Sequence, residues 1–517
     1  MAREKFQDGV WNLRDSFQYG VQKTHSLEIL KNSTNVKFQL NQVNLKEHDS
    51  NLISMNVPGM ANSVDEHLPE RPFVALIIEG KVSTNQVSVV TGKGVKKIMS
   101  VRAGKGTLCR CDKDKKIKGD MAPSQFSQQL ISIESMGVYR GTHLTRIMIY
   151  PFMVSANETI VYPDMEVTID GGILYSDGDV LDVKNKLLMV GPAMMESALI
   201  DLKQLRQTQG HQVEYLAVDT NLSHDSIREW LKNEIAARKN ELAAVLFVGH
   251  ELLLPTFYRA TKFSQQTPTD LPYVTFDGDS DWMPDVLSGR LPVMSGEELS
   301  IVVSKIIAYE TKIDGNRQRK VMGIASNEGY NPTDAEYLLS MLRPLVSASN
   351  VDKYIFNQND SNATADNITR RWSNGLDWVN YIGHGSGQSW PSIYGSEFNT
   401  GHIAKIAVSD RNPIVIDVAC QNGRFNHQQR FGESLILKHI AGAAAYYGGS
   451  VDISWDPPAI MAIGINESVR PGEESILGTH LLKGQMHLIQ NHSSVDDLRD
   501  NMTWYHLLGD PLTRVQF

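Results

Sequence analysis

The sequence predicts two folds in succession, an all-β amino-terminal region and then an α/β region built on a parallel sheet flanked by helices. Three observations predict this. The chain has 517 residues, more than one ordinary hydrophobic core accommodates. Its first third carries short β-type runs cut at close intervals by Gly, Asn, Asp and Ser. From Leu187 onward, short apolar runs alternate with stretches of helical length.

The β-type runs include Val74–Ile78, Val87–Val90, Leu144–Tyr150 and Val167–Ile169. A basic stretch, Arg110 to Lys118, interrupts them, and by itself it reads as a solvated loop. Residues 1–172 form the expected β domain, and the polar, turn-rich residues 173–186 read as a linker. Residues 187–517 form the α/β domain, with subdomains 187–320 and 321–517. Its expected elements are a strand at Leu187–Val190, a helix from Met195 to Thr208 and a strand at Val213–Val218. A helix opened by Ser223 or Asp225 follows, then the strands Ala243–Val248 and Val321–Ala325. A helix from about Asp334 and the strands Trp378–Ile382 and Ile414–Val418 complete the pattern.

Composition narrows the function. Apolar residues make up 41 % and charged residues 21 %, an ordinary globular balance. The net charge of −9, from 59 acids against 50 bases, argues against a nucleic-acid binder. No apolar run reaches the length of a membrane span. The first residues, MAREKFQDGVWNLRDSF, hold no apolar signal-peptide core, which suits a cytoplasmic protein or one whose signal has been removed. Of three cysteines, Cys109 and Cys111 stand one residue apart, too close for an unstrained disulfide, so no disulfide framework is expected.

Two of the expected strands end in reactive residues. One reads Trp378-Val-Asn-Tyr-Ile-Gly-His384-Gly385-Ser386, the other Pro413-Ile-Val-Ile-Asp-Val-Ala-Cys420-Gln-Asn-Gly423. Ligands of open α/β sheets gather at the carboxyl ends of strands. A thiol needs a base to become a nucleophile, and histidine serves near neutral pH. Backbone N–H groups at Gly385 and Cys420 are candidates to hold an oxyanion. Taken alone, Cys420 would be a small core residue and His384 one of fifteen histidines.

These two segments resemble the His and Cys motifs of the gingipain-type cysteine peptidases of the caspase-like clan. Ile324-Ala-Ser-Asn-Glu328-Gly329, Ser288-Gly289-Arg290-Leu291 and Tyr505-His-Leu-Leu-Gly-Asp510-Pro511 are similar to three further motifs of that family, in the family's order. Leu68-Pro-Glu-Arg-Pro-Phe and Gly137-Val-Tyr-Arg140-Gly141 are similar to its amino-terminal prodomain. The resemblance implies a caspase/gingipain-like catalytic domain preceded by an all-β inhibitory prodomain, that is, a zymogen. Its substrates would be proteins or peptides cut after Arg or Lys, and its own prodomain would be its inhibitor. By the same resemblance Cys420 is the nucleophile, His384 the base and Glu328 the acid that orients it. Asp334 or Asp456 would be the pocket acid, with Asp334 favoured, and Trp455 a pocket wall. A prodomain arginine would block the site, and Arg110 matches best, with Lys113, Lys115 and Lys116 behind it. Lys184 or Lys186 would be self-processing sites, and the protein would be secreted or at the cell surface.

The chemistry requires no cofactor. Phe276 to Asp285 is dense in carboxylates, and Asp279, Asp281 and Asp285 would suit structural calcium, which the family carries. The histidines show no zinc-type spacing. Two other functions fit the same residues: a transpeptidase that passes the acyl group to an amine, and a non-catalytic adaptor on a peptidase fold.

Overall fold

Where apolar and polar residues alternate in the first third, the computed structural model forms strands. Ser33–Gln39 turns Thr34, Val36 and Phe38 inward, and Asp164–Asp170 turns in Met165, Val167 and Ile169. The two strands pair antiparallel with Val36 opposite Val167, so both buried sets share one face. Each apolar side chain among these contributes roughly 1.5–3 kcal/mol by leaving water. The structure describes residues 9–13, 24–30, 32–48, 51–111, 121–126, 128–175, 184–278, 280–311, 318–329, 332–347, 351–409, 411–426, 430–470 and 472–516.

The chain divides into two units. One comprises Met1–Thr107, Asp114–Ser176 and Ile489–Leu498, and the other Leu108–Lys113, Asp177–Leu488 and Arg499–Phe517. This differs from a division by chain order at two places. Ile489–Leu498 joins the β unit because the buried Arg146 donates to the carbonyls of Ile489, His492 and Ser493. Leu108–Lys113 joins the α/β unit through hydrogen bonds described below. Part of the expected linker is also structured. Ile173 and Leu174 pair with Glu79 and Ile78, and Lys186 already opens a strand.

The β unit is a set of antiparallel sheets around a main core that includes Val36, Phe38, Leu76, Ile147, Phe152 and Val167. The expected runs fall on Pro72–Glu79, Val87–Thr91, Thr142–Ile149 and Asp164–Asp170, with Tyr150 just past the end of its strand.

The α/β unit is built on ten strands: β1 (Lys186–Pro192), β2 (Gln212–Val218), β3 (Leu242–Val248), β4 (Leu287–Leu291), β5 (Arg319–Ala325), β6 (Val351–Asn357), β7 (Trp378–Ile382), β8 (Ile414–Val418), β9 (Ala445–Gly449) and β10 (Tyr505–Leu508). Their order is β2-β1-β3-β4-β10-β9-β8-β7-β5-β6. All neighbours are parallel except β9 and β10. The expected parallel sheet is therefore two parallel blocks of opposite direction, joined at one antiparallel seam. The seam arises because β10, last in the chain, returns to pair with β4 from the first half.

Local details follow the sequence with one change. Ser223 caps its helix by accepting from Ser226 N at 3.2 Å. The expected helix from Met195 to Thr208 begins as a 3-10 stretch, Ala193–Leu199, and becomes α-helical only at Ile200. Two of the family-like motifs serve the framework. The buried Arg290 donates to both oxygens of Asp270 and to the carbonyls of Gly249 and Leu254. Asp510 accepts from the buried Arg206 at 2.9 Å.

Candidate active site

Strands β5, β7, β8 and β9 are consecutive neighbours and all parallel, so their carboxyl ends lie along one edge of the sheet. The sequence-predicted residues follow those ends. Glu328 comes after β5, His384 after β7, Cys420 after β8 and Trp455 after β9.

The glycines around His384 are dictated by close approach. A Cβ on Gly385 would lie 2.1 Å from the carbonyl oxygen of Cys420, and one on Gly383 would lie 2.8 Å from Ser392 and the Tyr381 hydroxyl. The histidine backbone is pinned between those groups. Its N–H donates to Ser392 Oγ at 3.0 Å, and its carbonyl accepts from Tyr381 at 2.8 Å.

Cys420 is buried, and Gln421 after it has φ 61°, a left-handed conformation that only the surrounding contacts make tolerable. Gln421 N donates to Val451 O, and Gly423 N to Gly449 O, which ties the turn to the end of β9 and the segment after it. Burial pushes the Cys420 thiol up to about 12, against a hydrogen bond from Ile453 N that pulls it down. In this state Cys420 is a thiol. Ile453 N is 3.5 Å from its sulfur.

His384 faces two acceptors. Its Nε2 is 2.8 Å from a Glu328 carboxylate oxygen, and its Nδ1 is 2.5 Å from the carbonyl oxygen of Arg110. Both ring nitrogens thus face oxygen atoms, which fixes the orientation of the imidazole.

Arg110 fills the adjoining pocket, and its side chain and that of Asp334 are both 0 % exposed. Its Nη1 and Nη2 donate to the two carboxylate oxygens of Asp334, each at 3.0 Å. Its Nε and Nη2 donate to the carbonyl of Trp455 at 3.1 and 2.8 Å. The guanidinium lies 4.5 Å above the Trp455 ring, so the indole covers its face. Asp334 also accepts from Ser326 Oγ at 2.7 Å. Its carboxylate is free for this role because Thr333 and Glu336 form the helix capping box, leaving Asp334 as the first helical residue. The backbone follows suit. Arg110 N donates to Ile453 O, and Trp455 N to Leu108 O, both at 2.9 Å, with Cys109 opposite Ser454 as in an antiparallel strand pair.

Two expectations change here, and a third lies beyond what is described. Asp456 is not at the guanidinium; its carboxylate accepts from Tyr337 at 2.9 Å, at the start of the helix Asp456–Ser468. Cys109 and Cys111 form a disulfide, with Cα atoms 5.2 Å apart, because the chain folds back at Arg110. Of the basic stretch, Lys113, Lys115 and Lys116 lie outside the described residues.

Sequence reasoning missed two buried residues behind the site. Asn422 accepts from Gly387 N at 2.9 Å and donates to Ser389 O at 3.1 Å, linking the Cys420 turn to the His384 loop. Asp417 accepts on one oxygen from Trp390, Asn422 and Tyr446, and burial raises its carboxyl to about 6. An acid inside the apolar run IVIDVA was the available signal for Asp417.

In the segment before β4, ligand oxygens of Asp277, Asp281 and Asp285 lie within 4.8 Å of one another, whereas Asp279 lies outside the described residues. The donor set is all carboxylate, which suits a hard cation such as calcium. Both oxygens of Asp281 and one of Asp285 already accept backbone N–H groups from Asp277, Met283 and Phe276. The three residues fit as part of a calcium shell, to be completed by other oxygens.

The model of peptidase family C25 matches residues 181–516. Gingipain R2 of Porphyromonas gingivalis is 26 % identical over 289 residues, covering 53 % of this chain and 38 % of that protein. Lys-gingipain of the same organism is 22 % identical over 499 residues, covering 83 % of this chain and 28 % of that protein. The chain thus spans well under half the length of these curated relatives. The crystal structure of the Arg specific cysteine proteinase gingipain R shares the fold, with a TM-score of 0.57, 23 % identity, and coverage of 66 % of this chain and 80 % of that one. With the family model spanning most of the chain, this protein belongs to peptidase family C25.

Proposed function

We propose that the chain is a latent cysteine endopeptidase that cleaves after arginine and whose resting site is filled by its own Arg110. One observation carries this reading: a fully buried Arg110–Asp334 pair, at the strand edge that also holds Cys420 and His384. A two-pronged carboxylate fork favours arginine over lysine, since a lysine ammonium supplies a single point of charge.

In the open enzyme, Cys420 attacks the scissile carbonyl carbon as its proton passes to His384. The N–H groups of Gly385 and Cys420 receive the oxyanion. His384, oriented by Glu328, protonates the leaving amine, and water then hydrolyses the thioester. A catalytic role is favoured over an adaptor role because the pocket, base and nucleophile are all present together, and an amine in place of water as acceptor would make the same site a transpeptidase. Asp334 and Trp455 form the specificity pocket, whereas Asp456 supports it through Tyr337. Lys186 is a poor self-processing site, being held in β1 beside Gln212 and Leu242. We further propose structural calcium at Asp281 and Asp285. The family and the Cys109–Cys111 disulfide favour a secreted or surface setting over a cytoplasmic one. No helix among the described residues is long and apolar enough to cross a membrane.

The test uses Arg110→Ala to open the site and fluorogenic peptides with arginine, lysine or a neutral residue before the scissile bond. Arg110→Ala is expected to hydrolyse the arginyl peptide fastest, and the same variant carrying Cys420→Ala to hydrolyse none. Equal rates in the two variants would refute the proposal.

A further inference from the structure

We infer that the Arg110–Cys111 peptide bond is a cleavage site for the chain's own Cys420, and that the Cys109–Cys111 disulfide keeps it closed until a dithiol reduces it. This rests on the peptidase reading above and goes beyond it, since it names the bond cut and the chemical signal that licenses the cut.

The segment is bound as a substrate would be. Leu108 to Arg110 pairs antiparallel with Ile453 to Trp455, Arg110 occupies the pocket, and its carbonyl oxygen reaches His384. A chain held in this way presents the bond after Arg110 to the nucleophile. Two features set it apart from a cleavable peptide. The carbonyl oxygen accepts from His384 Nδ1 instead of lying against the Gly385 and Cys420 N–H groups, which have no acceptor among the described residues. The amide nitrogen of Cys111, which would be the leaving group, is folded back onto Cys109 Sγ at 3.1 Å.

The disulfide spans the bond. It joins the residue before Arg110 to the residue after it, closing a small covalent ring that contains the scissile carbonyl. If Cys420 attacks, the C–N bond breaks and the Cys111 amine leaves, but the disulfide holds that amine beside the thioester. A tethered amine has a far higher effective concentration than any free acceptor, so it re-forms the peptide bond before water acts. Reduction removes the tether. A dithiol gives two electrons to the disulfide, becoming a disulfide itself, and leaves thiols at Cys109 and Cys111. The Cys111 amine then departs, taking its proton from His384. Water attacks the thioester, giving the Arg110 carboxylate and regenerating the Cys420 thiol. Cys111 is exposed while Cys109 is buried, so the reductant has one open sulfur to attack.

The experiment follows the new amino terminus at residue 111 in the full chain. The wild type is purified without reductant, and thiol titration after denaturation confirms one free thiol. It is then incubated with and without a water-soluble phosphine, which reduces disulfides without offering a thiol to the acyl-enzyme. The variant Cys109→Ser with Cys111→Ser is incubated without reductant, and Cys420→Ala with it. A free arginyl peptide reports activity in every sample. Phosphine is expected to speed cleavage after Arg110 roughly tenfold or more in the wild type. The double variant should cleave there at equal rates with and without phosphine, and Cys420→Ala not at all. Equal wild-type rates with and without phosphine overturn the inference. So does a double variant that hydrolyses the free peptide but keeps its own bond. If no reduced sample hydrolyses the free peptide, the peptidase reading falls and this inference with it.

Discussion

Replacing Asp334 by Asn in the opened enzyme isolates the pocket charge. The pair it forms with a guanidinium has both side chains 0 % exposed and two hydrogen bonds of 3.0 Å. Asn keeps the size and one acceptor, and Ser326 Oγ can still donate to it. What is lost is the negative charge and one prong of the fork. Removing one partner of a buried pair costs about 3–5 kcal/mol, because the other charge stays desolvated. That corresponds to roughly 10²- to 5 × 10³-fold in kcat/KM for an arginyl peptide. The Trp455 carbonyl and ring still contact the guanidinium and set the lower end of this range. A peptide with a neutral residue before the scissile bond never used Asp334, so its kcat/KM should change little. The assay compares both peptides in Arg110→Ala with and without Asp334→Asn. If arginyl hydrolysis survives within about threefold, the desolvation reasoning fails and the pocket acid lies elsewhere.

Four further outcomes follow from the same geometry. With its thiol moved from 9.0 to about 12, Cys420 in the resting chain should react with iodoacetamide near pH 8 roughly 10³-fold more slowly than an ordinary thiol, and Arg110→Ala should restore the rate. Asn422→Ala leaves Gly387 N–H without its acceptor and unlinks the two catalytic loops. It should lower kcat about tenfold with little change in KM, as a loss of positioning does. Asp417 binds its proton more tightly when folded, at about 6 against 3.8, so its contribution falls as pH rises between those values and is an unfavourable term at pH 7. Asp417→Asn should therefore raise the melting temperature at pH 7, with the gain vanishing near pH 4, when thermal unfolding is followed by circular dichroism. A chelator should lower the melting temperature of the wild type if calcium joins Asp281 and Asp285, and should leave that of Asp281→Asn unchanged.

The sequence made the strands and their chemistry legible where local rules decide them. β7 and β8 begin and end where the runs Trp378–Ile382 and Ile414–Val418 do, because a buried parallel strand is mainly apolar along its length. The glycines beside His384 announced a close backbone approach, and the structure identifies the partner as the Cys420 carbonyl. Asp334 was readable as a helix start, but its carboxylate became available only because Thr333 took the capping role. What distant parts of the chain decide together was not legible. The antiparallel seam depends on β10 returning across the whole α/β unit.

The disulfide shows why spacing alone misled. In an extended chain two cysteines one residue apart have Cα atoms about 6.7 Å apart, at the long limit for a disulfide, and Arg110 between them looked like part of a solvated basic loop. The strand pairing with Ile453–Trp455 ends at Arg110, where a buried fork seizes the side chain and the backbone must turn away. That turn brings Cys111 back toward Cys109, to Cα atoms 5.2 Å apart. The same contact that makes Arg110 a ligand thus makes its neighbours a disulfide. The fork on Arg110 and the disulfide hold the same turn, so releasing Arg110 from Asp334 frees Cys111 to move. Latency and thiol chemistry are therefore coupled through one residue, and an Asp334→Asn chain with Arg110 intact should lose its disulfide to reductant faster than the wild type.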